Sequence, residues 1–162
     1  MTLLAIGVGG ATAESRASKL GADEARQAYF EHGQLHWPAR IAGTIGRLND
    51  ALDSCYLAHG AKHVPFENGG FSYSDPTGSA KAACALEQGA VNDYAESDEM
   101  KGFSRGVQPL EDTFWGCLSK AGVAAQQGGT GTAPDTRSAT FVAAADSCSA
   151  EADRAFGSSP GS

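Results

Sequence analysis

The chain contains Leu48-Asn-Asp-Ala-Leu-Asp-Ser-Cys55-Tyr-Leu-Ala-His-Gly60, and a second stretch, Leu110-Glu-Asp-Thr-Phe-Trp-Gly-Cys117-Leu-Ser-Lys-Ala-Gly122, repeats its pattern around a cysteine. In both stretches, large apolar residues stand one and two helical turns before the cysteine, an aspartate lies between them and a glycine follows. Each stretch then runs through a loop with glycine and proline into an alanine-rich segment with a second cysteine, Cys84 or Cys148. This periodicity predicts a helix, a loop and a second helix in each copy.

The fold class follows from the repeat. We predict a mainly α protein, a disulfide-stapled helical bundle built from two helix-loop-helix repeats, about 40–96 and about 103–157, plus a preceding short helix over 22–33. The 162 residues suit a single helical domain over 14–157, with two domains as the alternative, and 158–162 are expected to form a disordered tail. Proline favours the first helical turn, so the last two helices are expected to begin near Pro109 and at Pro134 or Asp135. Alternation of Phe66, Phe71 and Tyr73 allows a short hairpin in the first loop.

The first residues resemble the end of an export signal. Residues 3–8 are apolar, and Ala11-Thr-Ala13 before Glu14 matches a small-x-small signal-peptidase site. No lysine or arginine precedes the run, so we interpret 1–13 as a signal peptide truncated by the choice of start codon. The run is too short for a membrane span, and a dinucleotide-binding turn at 6–10 lacks the strands it needs.

The four cysteines, one in each predicted helical segment, favour two disulfides in an exported chain. Three connectivities exist, and the repeat register favours Cys55 with Cys84 and Cys117 with Cys148, because each copy then closes its own hairpin. Large apolar side chains are sparse, so the core is thin and depends on such staples. The cysteines lack the close spacing of zinc sites and the Cys-x-x-Cys of redox enzymes.

A known pattern is similar to these motifs. Cys117-Leu-Ser-Lys-Ala-Gly122 followed by Ala143-Ala-Ala-Asp-Ser-Cys148 resembles exported actinobacterial proteins of unknown function, which carry Cys-(Met/Leu)-x-x-x-Gly and an alanine-rich helix ending in cysteine. Cys55-Tyr-Leu-Ala-His-Gly60 fits with tyrosine in the Met/Leu slot. The resemblance covers about 40–155 and implies a disulfide-stapled, mostly helical export domain, with no catalytic residues to transfer.

Few residues indicate chemistry. His32 and His36 are one helical turn apart, as are His59 and His63, but an intervening glycine breaks each helical face, so we expect no metal site. Asp50 and Asp112 each stand five positions before a cysteine, Cys55 or Cys117. They are interpreted as outer-face polar positions, with half of an acid/base pair as the alternative.

Three aromatic residues are candidates for a binding surface, namely Trp37, Tyr56 and Trp115. No catalytic residue and no cofactor is predicted. The net charge of −7 argues against nucleic acid and anionic membrane as partners.

The function predicted from the sequence is that of a secreted or cell-surface module, non-enzymatic, that binds an unknown protein or cell-envelope partner or supports an assembly. The alternative is a small secreted hydrolase with an unrecognised carboxylate- or histidine-based site. A pocket that contains two carboxylates, or a histidine against a carboxylate, would favour the enzyme.

Overall fold

The computed structural model describes residues 10–66, 70–123 and 135–157. Residue contacts divide the chain into unit 1, made of 1–38 and 98–162, and unit 2, made of 39–97. The described part is mainly helical, as predicted, and contains six helices and two short hairpins. The predicted tail and residues 1–9 of the predicted signal peptide lie outside the described residues. The single domain stays a prediction.

Unit 1 is organised by two helices in close contact, α1 (Gly10–Ala25) and α5 (Asp98–Lys120). Glycine makes the approach possible: a Cβ at Gly102 would clash with the Ser18 carbonyl, and one at Gly21 would clash with the Glu99 carbonyl. The expectation of a short helix over 22–33 is wrong, because the helix lies earlier, at Gly10–Ala25.

A hairpin takes the place of the second half of that predicted helix. Strands β1 (Tyr29–Glu31) and β2 (Gln34–His36) pair antiparallel around His32 and Gly33, whose φ angles are +49° and +79°. The hairpin docks on α6 (Ala139–Phe156), where the Phe30 N–H donates to Asp153 and the Gly33 N–H donates to the buried Ser149 hydroxyl. Tertiary contacts therefore override the local helix propensity.

The core of unit 1 lies between α5 and α6, where a disulfide joins Cys117 to Cys148 with Cα atoms 5.5 Å apart. The buried side chains of α5 recur at helical spacing: Phe103, Val107, Leu110, Phe114 and Leu118. The Phe114 ring stacks on Phe30 at a centroid distance of 4.0 Å. The prediction that α5 begins near Pro109 is wrong, since Pro109 lies inside a helix that begins at Asp98. Helix α6 begins at Ala139, capped by the Ser138 hydroxyl, rather than at 134 or 135.

Unit 2 contains α2 (Ala39–Ala58), the hairpin of β3 (Lys62–Pro65) and β4 (Phe71–Ser74), and the helices α3 (Ser79–Ala83) and α4 (Ala85–Ala95). The hairpin allowed by the aromatic alternation is present. The second helix predicted for the first copy is interrupted at Cys84, whose φ and ψ are −98° and +24°. Cys84 bonds to Cys55 with Cα atoms 5.9 Å apart, so both disulfide pairings are the ones favoured by the repeat register.

The two copies share the end of their first helix. Gly60 and Gly122 have φ angles of +88° and +84°, and in each copy the next residue donates its N–H to the carbonyl five positions back. These are Schellman caps, which need glycine because other residues rarely adopt positive φ. The intervening hairpin and the helix break at Cys84 occur in the first copy. A duplicated architecture stays a prediction.

Candidate functional site

A histidine, a tyrosine and an aspartate meet in unit 2. Asp53 lies on α2, and its Oδ1 accepts hydrogen bonds from the Tyr73 hydroxyl at 2.7 Å and from His63 Nε2 at 2.5 Å. For His63 to donate there, the proton must lie on Nε2, which leaves Nδ1 as an acceptor when the ring is neutral. The three side chains tie both strands of the hairpin to the helix.

The pairing register explains why these side chains share one face. His63 lies opposite Tyr73, and Pro65 lies opposite Phe71, so all four point to the same side of the hairpin. The His63 ring lies 3.8 Å from the Phe71 ring and 5.5 Å from the Tyr73 ring, measured between centroids. Tyr73 also stacks on Tyr56 of α2 at 4.5 Å. The result is an aromatic face directed toward α2.

The hydrogen bonds favour one charge state for Asp53 and one for Tyr73. The hydrogen bond from His63, and then that from Tyr73, holds the pKa of Asp53 below its usual range. Burial, with the hydrogen bond to Asp53 second, raises the pKa of Tyr73 to about 12. At neutral pH, Asp53 is therefore a carboxylate and Tyr73 a neutral donor.

A groove opens beside the cluster, with a volume of about 450 Å³. Its lining combines an amide, two carboxylates, a buried leucine and two aromatic rings: Asn49, Asp50, Asp53, Leu52, Phe71 and Tyr73. Phe71 is 45% exposed, so its ring is available to a ligand. Asp50, interpreted from the sequence as an outer-face position, thus lines the groove. Asp112 of the second copy is exposed and accepts a hydrogen bond from Gln108 on its own helix.

The three predicted binding residues lie in different surroundings. Trp37 is 41% exposed and packs against Phe103, while Trp115 is half-buried against Phe114, so the two indoles have different ring partners in unit 1. Tyr56 belongs to unit 2 and is 9% exposed, so its ring offers little surface.

The paired histidines have separate neighbours. His32 Nδ1 lies 2.8 Å from an Asp146 carboxylate oxygen, whereas His36 stacks on Tyr29 at 4.8 Å. His63 bonds to Asp53, while His59 lies beside the Cys55–Cys84 disulfide.

His32 and Asp146 form a second histidine–aspartate contact at a 260 Å³ cavity in unit 1. The hydrogen bond that His32 donates to the Asp146 carboxylate raises the pKa of His32. Both side chains are more than two-thirds exposed, at 78% and 71%. Solvent screens such a pair, so we regard the groove of unit 2 as the stronger candidate.

Sequence reasoning missed Asp53, His63 and Tyr73 as a group. The available signal was the alternation in the first loop, which, read as a hairpin, places His63 opposite Tyr73. The contact with Asp53 depends on how the hairpin packs on α2, and no local pattern encodes that.

Within the described ranges, no helix has the length and apolar character required to cross a bilayer. No family model matches the chain, and no curated protein or solved structure matches it either. The resemblance to exported actinobacterial proteins stays a prediction.

Proposed function

We propose that this chain is an exported, disulfide-stapled binding module that takes a basic side chain of a protein partner into the groove of unit 2. The observation that supports this is the lining of the groove, in which Asp50 and Asp53 lie with the rings of Phe71 and Tyr73. Two closed disulfides are typical of proteins outside the reducing cytosol and support export to the cell surface or beyond.

The chemistry of the lining favours a cation with an apolar stem. Asp53 is held ionised by its two hydrogen bonds, and Asp50 adds a second carboxylate on the next turn of the same helix. An aromatic face attracts a guanidinium or ammonium group within about 6 Å of its centroid. Phe71, which is 45% exposed, provides apolar surface for the methylene stem of arginine or lysine.

The surface around the groove supports a macromolecular partner. Val64, Phe66 and Phe71 belong to the hairpin or its loop, and they are 43%, 52% and 45% exposed. Phe71 lies on the groove side of the hairpin, whereas Val64 pairs with Ser72 on its opposite side. Exposed apolar residues on a hairpin that borders a polar recess are typical of protein interaction sites. The basic side chain would enter the groove while the hairpin residues contact the surface around it.

The binding test uses the isotopically labelled full chain, titrated with arginine amide and followed by amide chemical shifts. We expect shifts concentrated at 49–53 and 71–74. Phe71→Ala should weaken binding by about 2- to 30-fold, the range for loss of a cation–π contact. Asp112→Asn, at the equivalent offset in the other copy, serves as the matched control for Asp50→Asn and should bind like wild type. Chemical-shift changes scattered over the whole surface would contradict the proposal. Equal losses of affinity in Asp50→Asn and Asp112→Asn would also contradict it.

A small secreted hydrolase is the second candidate, favoured by the contact of His63 with Asp53 beside a second carboxylate. Asp53 would orient the imidazole, and Nδ1 would accept a proton from water. Two features make this candidate weaker. The low pKa of Asp53 is unsuited to a general acid, and no serine, threonine or cysteine lines the described groove. Hydrolysis of a chromogenic ester or aryl glycoside that His63→Ala abolishes would establish the enzyme and overturn the binding module.

A further inference from the structure

A histidine lies beside one of the two disulfides. The ligand atoms of Cys55, Cys84 and His59 all lie within 4.8 Å of one another. No other group of three such residues comes this close in the part of the chain that the structure describes. Cys55 and His59 are one turn apart, and the His59 N–H still donates to the Cys55 carbonyl at 3.1 Å, so the helical register aligns them.

The second disulfide differs at this position. The residue four after Cys117 is Ala121, where the first copy has His59, although both helices end in the same cap. The imidazole is therefore a specific feature of the Cys55–Cys84 corner and not a requirement of the cap.

Two thiolates and an imidazole form a common zinc ligand set. With Zn–S bonds of about 2.3 Å and Zn–N bonds of about 2.0–2.1 Å, tetrahedral ligand atoms lie roughly 3.5–3.8 Å apart. The two sulfurs of a disulfide are about 2 Å apart. After reduction they therefore need to move apart by less than roughly 2 Å to reach the spacing of zinc ligands. Cys84 is fully buried and lies at the break between α3 and α4, while His59 is exposed and gives the metal an entry path.

We propose that reduction of the Cys55–Cys84 disulfide by a dithiol creates a zinc site whose ligands are the two cysteine sulfurs and a His59 ring nitrogen. The dithiol supplies two hydrogen atoms and closes to its own disulfide, while the S–S bond breaks to give two thiols. Zn²⁺ then displaces both thiol protons and forms two Zn–S bonds and one Zn–N bond, and water fills the fourth position. The metal replaces the disulfide as the link between α2 and the segment that carries Cys84. This site does not depend on the ligand of the groove.

The experiment uses the full chain, reduced with dithiothreitol and desalted without oxygen, then titrated with zinc chloride against a chromogenic chelator. We expect one tightly bound zinc per reduced chain and none in the oxidised chain. His59→Ala should weaken binding by at least about 10-fold, because a ligand to the metal is lost. His32→Ala, which removes an exposed histidine elsewhere, should bind like wild type.

Cobalt substitution supplies a readout that does not depend on affinity. Reduced wild type should show thiolate-to-cobalt charge transfer and the intense visible bands of a tetrahedral site. His59→Ala should change those bands, and Cys117→Ser should keep them. If the reduced chain loses helicity, zinc should restore it in wild type and not in Cys84→Ser. Equal binding by His59→Ala and wild type, or loss of zinc in Cys117→Ser, would overturn the proposal.

Discussion

Two identical substitutions on α5 should change stability in opposite directions. At Gly102, a new Cβ would lie 2.8 Å from the Ser18 carbonyl carbon and closer still to its oxygen. At Gly116, farther along the same helix, a new Cβ would meet nothing within 4 Å. Gly102→Ala and Gly116→Ala therefore differ in packing but share the same gain in helix propensity.

The magnitude follows from two competing terms. Replacing glycine by alanine in a helix interior stabilises by about 1 kcal/mol. Overpacking costs about 1–3 kcal/mol, and the upper end applies here because the clash is with backbone, which no rotamer change relieves. Gly102→Ala should therefore destabilise by roughly 2 kcal/mol, whereas Gly116→Ala should stabilise by up to about 1 kcal/mol.

The assay is a pair of thermal melts followed by far-UV circular dichroism, with denaturant titrations to give the free energy of unfolding. For a chain of this size, Gly102→Ala should lower Tm by about 4–8 °C. Gly116→Ala should raise it. If both variants gain stability equally, α1 does not pack against α5 at Ser18, and the described arrangement of unit 1 is wrong.

Three further outcomes are expected. Phe114→Ala should destabilise by about 3–5 kcal/mol in denaturant titrations, since its fully buried ring stacks on a second phenylalanine. Asp112→Ala, on the exposed side of the same helix, should change stability by less than about 0.5 kcal/mol. Equal losses of stability in the two variants would refute the assignment of the core face. Ser149→Ala should cost about 1–3 kcal/mol, because the Gly33 N–H loses its acceptor, and hydrogen exchange at Gly33 should accelerate if the hairpin docks as described. The pKa of Asp53 in the folded chain is lowered, so the contribution of Asp53 to stability is present above the ordinary aspartate pKa of about 4 and is lost as pH falls through the folded value. Tm should therefore drop more steeply in acid for wild type than for Asp53→Asn. Parallel curves of Tm against pH would contradict the hydrogen bonds of the cluster.

The disulfides and the core face of α5 could be predicted from the sequence because both depend on local periodicity. Leu110, Phe114 and Cys117 fall at helical spacing, and the copy around Cys55 shows the same spacing. The register of the two copies then singled out one pairing among three, and the structure has that pairing.

The first hairpin could not be predicted in the same way. Residues 22–30 are good helix formers, yet the Phe30 and Gly33 N–H groups bond to side chains of α6, more than a hundred positions away. The turn also places His32 at a positive φ, a conformation that few non-glycine residues adopt. Contacts distant in sequence decide this segment.

The candidate site depends equally on distant contacts. The sequence shows Asp50 as a repeated carboxylate. Its place in the candidate site depends on Asp53 and Phe71, which line the same groove. Both copies carry the aspartate, and a hairpin stands beside it in the first copy. The repeat alone therefore gave no reason to separate Asp50 from Asp112.

The most direct test of the proposed function compares arginine amide with citrulline amide, whose side chain is a neutral isostere of the guanidinium side chain, by calorimetric titration of the full chain. Both molecules have nearly the same shape, so a difference in Kd reports the charge that the groove recognises. Loss of charge-assisted hydrogen bonds worth about 1.5–3 kcal/mol should weaken citrulline amide by roughly 10- to 150-fold. Added salt should reduce this difference. Equal Kd values for the two amides would contradict the claim that Asp50 and Asp53 make the groove a site for a cationic side chain.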